Sequence, residues 1–321
     1  MSARYAVIGI TVACLCAGCS PPSFLVTPVL NPSALREQVV RPGEGIMPGK
    51  IVIIEVEGML VNTRGDGLLG RSENPVSLFV QELDKAARDP MVRAVVLRVN
   101  SPGGTVSASD AMYEAVRRFR QKTGRPVVAS GQEVIASGAY YVACAADRLM
   151  VQPTSVAGSI GVIFRTFDVS GTMMLVGMRS EAIKSGPMKD MGSPLKPMTD
   201  AERAVMQAMV NEYYERFKQV VAASRKLEGQ RLEQASDGRV FTGQQAVAAG
   251  LADGTGFLDD AIELARQLGK APGAEVVIYR RPHGYGGSIY AAAEGHPQTL
   301  ELRLAPAEAL LPTGFYYLWQ P

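Results

Sequence analysis

The chain has 321 residues, of which 47% are hydrophobic and 20% charged, with a formal net charge of +2 at pH 7. That balance builds a sizeable core, and 33 basic against 31 acidic side chains mixed along the chain exclude an electrostatic nucleic-acid binder, which needs a concentrated basic face. The two histidines, His283 and His296, both fall in a Gly/Pro-rich stretch late in the sequence. A Ser-His-Asp triad or a histidine-based zinc site is therefore not expected.

At the N-terminus Arg4 precedes an uncharged apolar run, residues 5–15, that ends in Cys16-Ala17-Gly18-Cys19. This reads as a secretory signal, too short for a membrane span. Small residues before a cysteine resemble a bacterial lipobox, although Cys16 stands where Leu is favoured. The expectation is a signal over residues 1–18, with Cys19 as the lipidated first residue of a protein held at the cell envelope, outside the cytoplasm. Cys14 and Cys16 then leave with the signal, and Cys144 has no disulfide partner. Pro21, Pro22, Pro28, Pro32 and Pro42 make residues 19–49 a Pro-rich linker.

From Lys50 onward strand-like and helix-like segments alternate. Strands are expected over residues 51–56, 94–99, 127–130, 149–151, 180–184 and 274–279. Helices are expected over 75–88, 140–146, about 199–225, 243–249 and 258–268. A further helix follows residue 104, its entry Ser107-Ala108-Ser109-Asp110 having the form of a capping box, as does Thr199-Asp200-Ala201-Glu202. Such alternation predicts an α/β fold with helices packed on a sheet. Gly65 to Gly70 matches the dinucleotide fingerprint by letter, yet it does not leave a strand directly and Pro75 separates it from the next helix, so it reads as a loop. Ser193-Pro194-Leu195-Lys196 matches Ser-x-x-Lys, but Pro194 and Pro197 disfavour the helical turn that would join those side chains.

Two segments carry more chemistry. Arg98-Val99-Asn100-Ser101-Pro102-Gly103-Gly104 ends a strand with paired glycines, whose backbone N–H groups can approach a ligand without a Cβ in the way. That suits an oxyanion hole, and equally a tight strand-to-helix turn. Glu133-Val134-Ile135-Ala136-Ser137-Gly138-Ala139-Tyr140-Tyr141 places Ser137 between a strand and an apolar helix, as a nucleophile beside free helix N–H groups or as a plain N-cap. A serine nucleophile needs a base. With histidine unavailable a lysine is the candidate, and a lysine working near neutrality needs its ordinary pKa of about 10.4 brought down to roughly 7 to 8. The stretch from Lys184 to Pro194 offers Lys184 and Lys189, and residue chemistry does not choose between them.

Residues 98–104 and 136–141, Ala157-Gly158-Ser159-Ile160-Gly161-Val162, residues 184–194, and Asp237-Gly238-Arg239-Val240-Phe241-Thr242-Gly243-Gln244-Gln245-Ala246 followed by Gly250-Leu251-Ala252-Asp253 resemble, in order, the motif blocks of the signal peptide peptidase A (protease IV) family. The likeness spans about residues 50–268 in a single copy, as in the short, single-domain form. It implies the Clp-protease/crotonase-like superfold of repeated βα units, with a peptidase domain over residues 50–271 and a C-terminal extension over 272–321. It implies a Ser-Lys dyad of Ser137 and Lys189, an oxyanion hole from the N–H groups of Gly104 and Gly138, and no metal or organic cofactor. Ser159 is a weaker candidate for orienting Lys189. The resemblance further implies a homo-oligomer drawing serine and lysine from adjacent protomers, and substrates such as cleaved signal peptides and other short or unfolded apolar chains. The competing readings are a crotonase-like acyl-CoA enzyme, which needs no Ser137/Lys189 pair, and a non-catalytic peptide-binding or scaffold lipoprotein. The aromatic end, Phe315 to Trp319, is expected in core packing, on a neighbouring protomer or on lipid.

Overall fold

The computed structural model describes residues 34–45, 48–63, 66–67, 70–71, 73–281 and 314–319. The signal, Cys19, most of the linker and both histidines lie outside the described residues. The centre of the molecule is three parallel strands, β2 (Lys50–Leu60), β5 (Val92–Thr105) and β6 (Val127–Ala136). Their first halves are buried on both faces, which is why they read as unbroken β-branched runs rather than alternating ones. The period of two still sorts the layers. Ile51, Ile53, Ala94, Val96 and Val128 pack with Leu258, Ala261, Ile262 and Ala265. Val52, Ile54, Val95, Leu97 and Ala129 face the larger cluster on the other side, with Phe79, Met112 and Tyr141.

Most helices fall where the sequence places them, but Ser170–Leu175 and Gly229–Ala235 were not expected, and the helix expected at 140–146 spans Gly138–Ala143. The first, α1 (Pro75–Arg88), matches its predicted bounds because Asn74 accepts from Ser77 N–H and Pro75 occupies the first turn. Next come α2 (Val106–Thr123), α3 (Gly138–Ala143), α4 (Ser170–Leu175), α5 (Asp200–Arg225), α6 (Gly229–Ala235), α7 (Gly243–Ala248) and α8 (Leu258–Leu268). Thr199 and Glu202 form the expected reciprocal capping box on α5. At α2 the cap is Thr105, which accepts from Ala108 N–H, and not Ser107. The strand enters the helix without a loop, and Asp110 turns instead to Tyr141 and Arg216.

The remaining strands are β1 (Arg36–Arg41), β3 (Asp66–Gly67), β4 (Gly70–Arg71), β7 (Arg148–Val151), β8 (Val156–Gly158), β9 (Ile163–Arg165), β10 (Val240–Thr242), β11 (Gly254–Thr255), β12 (Glu275–Arg280) and β13 (Gly314–Leu318). Among its described residues the fingerprint-like glycine stretch forms the short β3–β4 pair. Among the described residues the main sheet has eleven strands, with the path β1-β12-β2-β5-β6-β7-β11. Arg36–Arg41, inside the stretch assigned to the linker, is thus an edge strand antiparallel to β12, and β12 and β13, inside the stretch assigned to the extension, join the same sheet. Residues 180–184 form no strand; they are exposed and have no ladder partner among the described residues.

Two divergences in this sheet create the working region. Val128–Gly131 of β6 pairs with β7, whereas Val134–Ala136 of the same strand pairs with β8. The β5–β6 pairing ends at Ser101 with Ile135, and from Gly103 to Thr105 that edge of β5 pairs with β13.

Asp253 ties the far side of this region together. Its carboxylate accepts from Leu149 N–H at 2.6 Å and pairs with Arg225 at 3.0 Å. Burial alone would raise this carboxyl, but the Arg225 and Leu149 bonds outweigh it and hold it below the usual carboxylate range. A lowered carboxyl contributes stability that is present above its unfolded value of about 3.9 and lost as pH falls through its folded value. Asp253→Asn is predicted to cost about 1–2 kcal/mol at pH 7 and to converge with the native chain in acid, measured as urea midpoints at pH 7 and in the acid limb.

Candidate active site

Asn100 and Ser101 bend the end of β5 into position. Asn100 Oδ1 accepts from Val134 N–H at 3.1 Å, which fixes the shift in register where β5 and β6 part. The buried Ser101 hydroxyl donates to Gly58 O at 2.6 Å and accepts from Gly103 N–H at 3.1 Å. Its role is structural. Gly103 lies at φ 101°, a conformation open to glycine. A Cβ on Gly104 would fall 1.9 Å from the Leu60 carbonyl oxygen. These glycines lie in the strand itself, close against β2, rather than in a turn.

Ser137 begins α3, where β6 ends. Its N–H donates to Gly158 O at 2.7 Å and its carbonyl accepts from Tyr141 N–H at 2.9 Å. Those two bonds hold it at φ 53°, ψ −118°, a region that costs a non-glycine residue about 1–3 kcal/mol. An N-cap residue is ordinarily extended and its side chain accepts from the first turn; the Ser137 hydroxyl makes no such bond. The plain-cap alternative therefore lacks its defining interaction. The strain is sustained from below, since all of α3 is buried. Tyr140 donates to Leu251 O and Tyr141 to Asp110, both at 2.7 Å.

The backbone around Ser137 is crowded with glycine. A Cβ on Gly138 would lie 2.3 Å from Ser109 Oγ and 3.2 Å from Gly104 N, and one on Gly103 would lie 2.6 Å from Gly138 N. The structure therefore brings Gly104 and Gly138 together beside a serine that is 1% exposed. Two backbone donors converging next to a hydroxyl can hold an oxyanion as that hydroxyl attacks a carbonyl.

Lys189 is exposed on the segment between α4 and α5, its N–H donating to Gly186 O at 3.2 Å. No hydrogen bond joins it to Ser137 among the described residues. Its neighbours are committed: Lys184 pairs with Asp190 at 2.7 Å, and Lys196 pairs with Asp190 at 3.2 Å and with Glu202. Lys184, and then Lys196, hold the Asp190 carboxyl below its ordinary range. Ser193 meanwhile accepts from Leu195 N–H at 3.3 Å, so the Ser193/Lys196 letter match forms no dyad. Ser159, at φ 49°, is half-buried next to Gly158 and donates its N–H to Arg239 O at 2.8 Å. Cys144 is buried, and burial pushes its thiol up to about 11.

One participant the sequence reading did not place is β13. It runs antiparallel between Gly103–Thr105 of β5 and β9, and Trp319 N–H donates to Pro102 O at 2.8 Å. Alternation sends Tyr317 inward, stacked on Tyr141 at 5.2 Å and tilted on Phe217 at 4.7 Å, with its hydroxyl donating to Tyr213 O at 2.8 Å. Tyr316 and Leu318 go the other way, onto Met59. The sequence signal was the β-prone run Phe-Tyr-Tyr-Leu-Trp; its ladder partners lie more than a hundred residues away.

The strain at Ser137 is measurable apart from activity. Ser137→Gly and Ser137→Ala both remove the hydroxyl, and only the glycine relieves the backbone. The glycine variant is predicted to be more stable than the alanine variant by about 1 kcal/mol, the strain relief less the entropy cost of glycine, read as the difference in their urea midpoints. Equal midpoints would remove the strain argument.

Comparison with known proteins gives a consistent family. The model of peptidase family S49 matches residues 119–271. A protein of Enterococcus faecium described as a signal peptide peptidase is 32% identical over 237 residues, 74% of this chain and 69% of its own. A protein of Methanocaldococcus jannaschii described as a protease is 36% identical over 216 residues, 67% of this chain and 69% of its own. Protease 4 of Salmonella typhi is 34% identical over 189 residues, 59% of this chain and 30% of its own. With Ser137 held against paired backbone donors on a mixed α/β sheet, the chain belongs to peptidase family S49, the signal peptide peptidase A (protease IV) family of serine peptidases.

Proposed function

We propose that this chain is a membrane-anchored serine endopeptidase working through a Ser137–Lys189 dyad. The observation that carries the reading is Ser137 itself, strained, uncapping and set beside the N–H groups of Gly104 and Gly138. In this mechanism neutral Lys189 takes the Ser137 proton as Oγ attacks a peptide carbonyl. The two glycine N–H groups hold the oxyanion, the amine leaves with a proton from Lys189, and water activated by Lys189 releases the acyl group. In this reading Ser159 orients the Lys189 amine by a hydrogen bond.

The exposed position of Lys189 in a single chain is accounted for by assembly. Residues around α4 present Met174, Leu175, Val176, Met178 and Ile183 to solvent, with Leu175 88% exposed. So much apolar surface on the same segment as Lys189 suits burial against a second copy of the chain. Such burial favours the neutral amine that a base requires. A site completed between protomers on a Clp-protease/crotonase-like fold would admit extended chains, such as cleaved signal peptides, and exclude folded ones. Lipid on Cys19 would hold it at the membrane; among the described residues no helix is long and apolar enough to cross one. The acyl-CoA and scaffold readings assign nothing to the strain at Ser137.

Hydrolysis of an unfolded reporter polypeptide tests this reading. Ser137→Ala and Lys189→Ala are each predicted to lose at least about 100-fold in kcat, while Lys184→Ala keeps most of it. Co-assembling the two inactive variants in equal amounts is predicted to restore roughly one quarter of the native rate, because a shared interface reunites an intact serine with an intact lysine at that frequency. Activity surviving Ser137→Ala would overturn the proposal.

A further inference from the structure

The segment that carries Lys189 runs from α4 to α5 without a helix or strand of its own, and two kinds of bond fix its shape. The first are backbone turns. Lys189 N–H donates to Gly186 O and Met191 N–H to Met188 O, both at 3.2 Å, and Ser193 N–H donates to Asp190 O at 3.1 Å. Thr166 Oγ1 donates to Gly192 O at 3.0 Å and Val169 N–H to Pro194 O at 2.8 Å, which seats the segment against the stretch after β9. The second is a chain of charges. Lys184 Nζ donates to both carboxylate oxygens of Asp190 at 2.7 Å, Lys196 Nζ lies 3.2 Å from Asp190 Oδ1, and Lys196 also pairs with Glu202. Glu202 is buried in the first turn of α5, where its other oxygen accepts from Thr199 N–H at 2.9 Å. The chain of charges therefore runs from the surface to a fixed point on a 26-residue helix.

Asp190 follows Lys189 directly in the sequence. A carboxylate beside an ammonium favours the charged amine, which is the form that cannot accept a proton. Here the carboxylate is turned to Lys184 and Lys196 instead, and among the described residues no carboxylate pairs with Lys189. The two cations hold Asp190 below the usual carboxylate range, so it stays ionised and engaged at any pH where a lysine acts as a base. The charged groups of the neighbouring elements do not compete for it. Asp168 accepts from Ser170 N–H at 2.9 Å and from Ser170 Oγ at 2.6 Å. Arg165, Asp200 and Arg203, and Arg179 and Glu181 on the segment itself, form no ion pair with Asp190 or Lys189. Exposed ion pairs add little stability, and the segment has backbone bonds of its own. What the chain of charges supplies is a local balance in which the negative charge next to the base is matched by cations other than the base.

We propose that Lys184 and Lys196 are positioning residues for the base: by engaging the Asp190 carboxylate they tie the Lys189 turn to α5 and keep that carboxylate from pairing with the Lys189 amine. The inference rests on the reading of Lys189 as the base of the peptidase. Its signature is an opposite response from the two sides of one ion pair. Loss of Lys184 leaves Asp190 with Lys196 alone and frees part of its charge to stabilise a protonated Lys189. Loss of the Asp190 charge leaves uncompensated cations beside Lys189 and disfavours the protonated amine.

The test is the pH dependence of kcat/KM for an unfolded reporter polypeptide, measured on the assembled full chain, whose acid limb reports protonation of the base in the free enzyme. Lys184→Ala is predicted to move that limb to higher pH by roughly 0.5 pH unit, and Asp190→Asn to move it to lower pH by a similar amount. Lys184→Arg keeps the cation and leaves the limb where it stands in the native chain. The limb is read from the shape of the profile, so a fraction of unfolded variant lowers the height without moving the midpoint. A segment merely loosened by these substitutions loses rate at every pH with its limb fixed. That outcome, or limbs that move in the same direction in both variants, overturns the inference and leaves the dyad standing. A native rate in Lys189→Ala removes the base and the inference together.

Discussion

Everything at this site depends on three backbone positions that have no room for a side chain. Gly103, Gly104 and Gly138 lie so close to Leu60, Ser109 and one another that a Cβ on any of them would overlap a neighbouring atom. That closeness makes amides converge on one point, and it comes from two strands parting company. The end of β5 is pinned by Ser101 and Asn100, and the end of β6 by its pairing with β8. Ser137 inherits a backbone conformation that those pins dictate. The rest of the core, above all the buried α3 and its two tyrosines, supplies the stability that sustains the strain.

The same divergence leaves a strand edge open beside Ser137. An edge of β5 left unpaired beyond Ser101 carries free N–H and C=O groups, and these are satisfied by a strand. In this structure the strand is the protein's own.

Much of this was legible in the sequence where local rules decide. The α1 bounds followed from the apolar side of residues 75–88, the α5 entry from the Thr199/Glu202 box, and the central strands from their β-branched runs. Ser137, Gly104 and Gly138 were readable as motif positions, although residue chemistry alone left a helix cap and a tight turn in contention. What escaped were features set by distant partners. Ser107 looked like a cap because its spacing to Asp110 was right, but β5 runs on to Thr105 and Asp110 is drawn away by Tyr141 and Arg216. Residues 180–184 have strand-like residues but pair with no edge among the described residues. The strands β1 and β13 exist only because β12 and the far end of β5 offer edges, and no window of the sequence contains both members of either pair.

The central claim is that Ser137 forms a covalent acyl intermediate, and mapping that bond tests it most directly. The assembled full chain would be quenched in acid during turnover of an activated ester and digested, and the peptide carrying the added acyl mass sequenced by mass spectrometry. The account predicts one modified residue, Ser137, with the adduct absent from Lys189→Ala because the hydroxyl is no longer deprotonated. An adduct on any other residue, or turnover in an assembled chain with no adduct at Ser137, would contradict it.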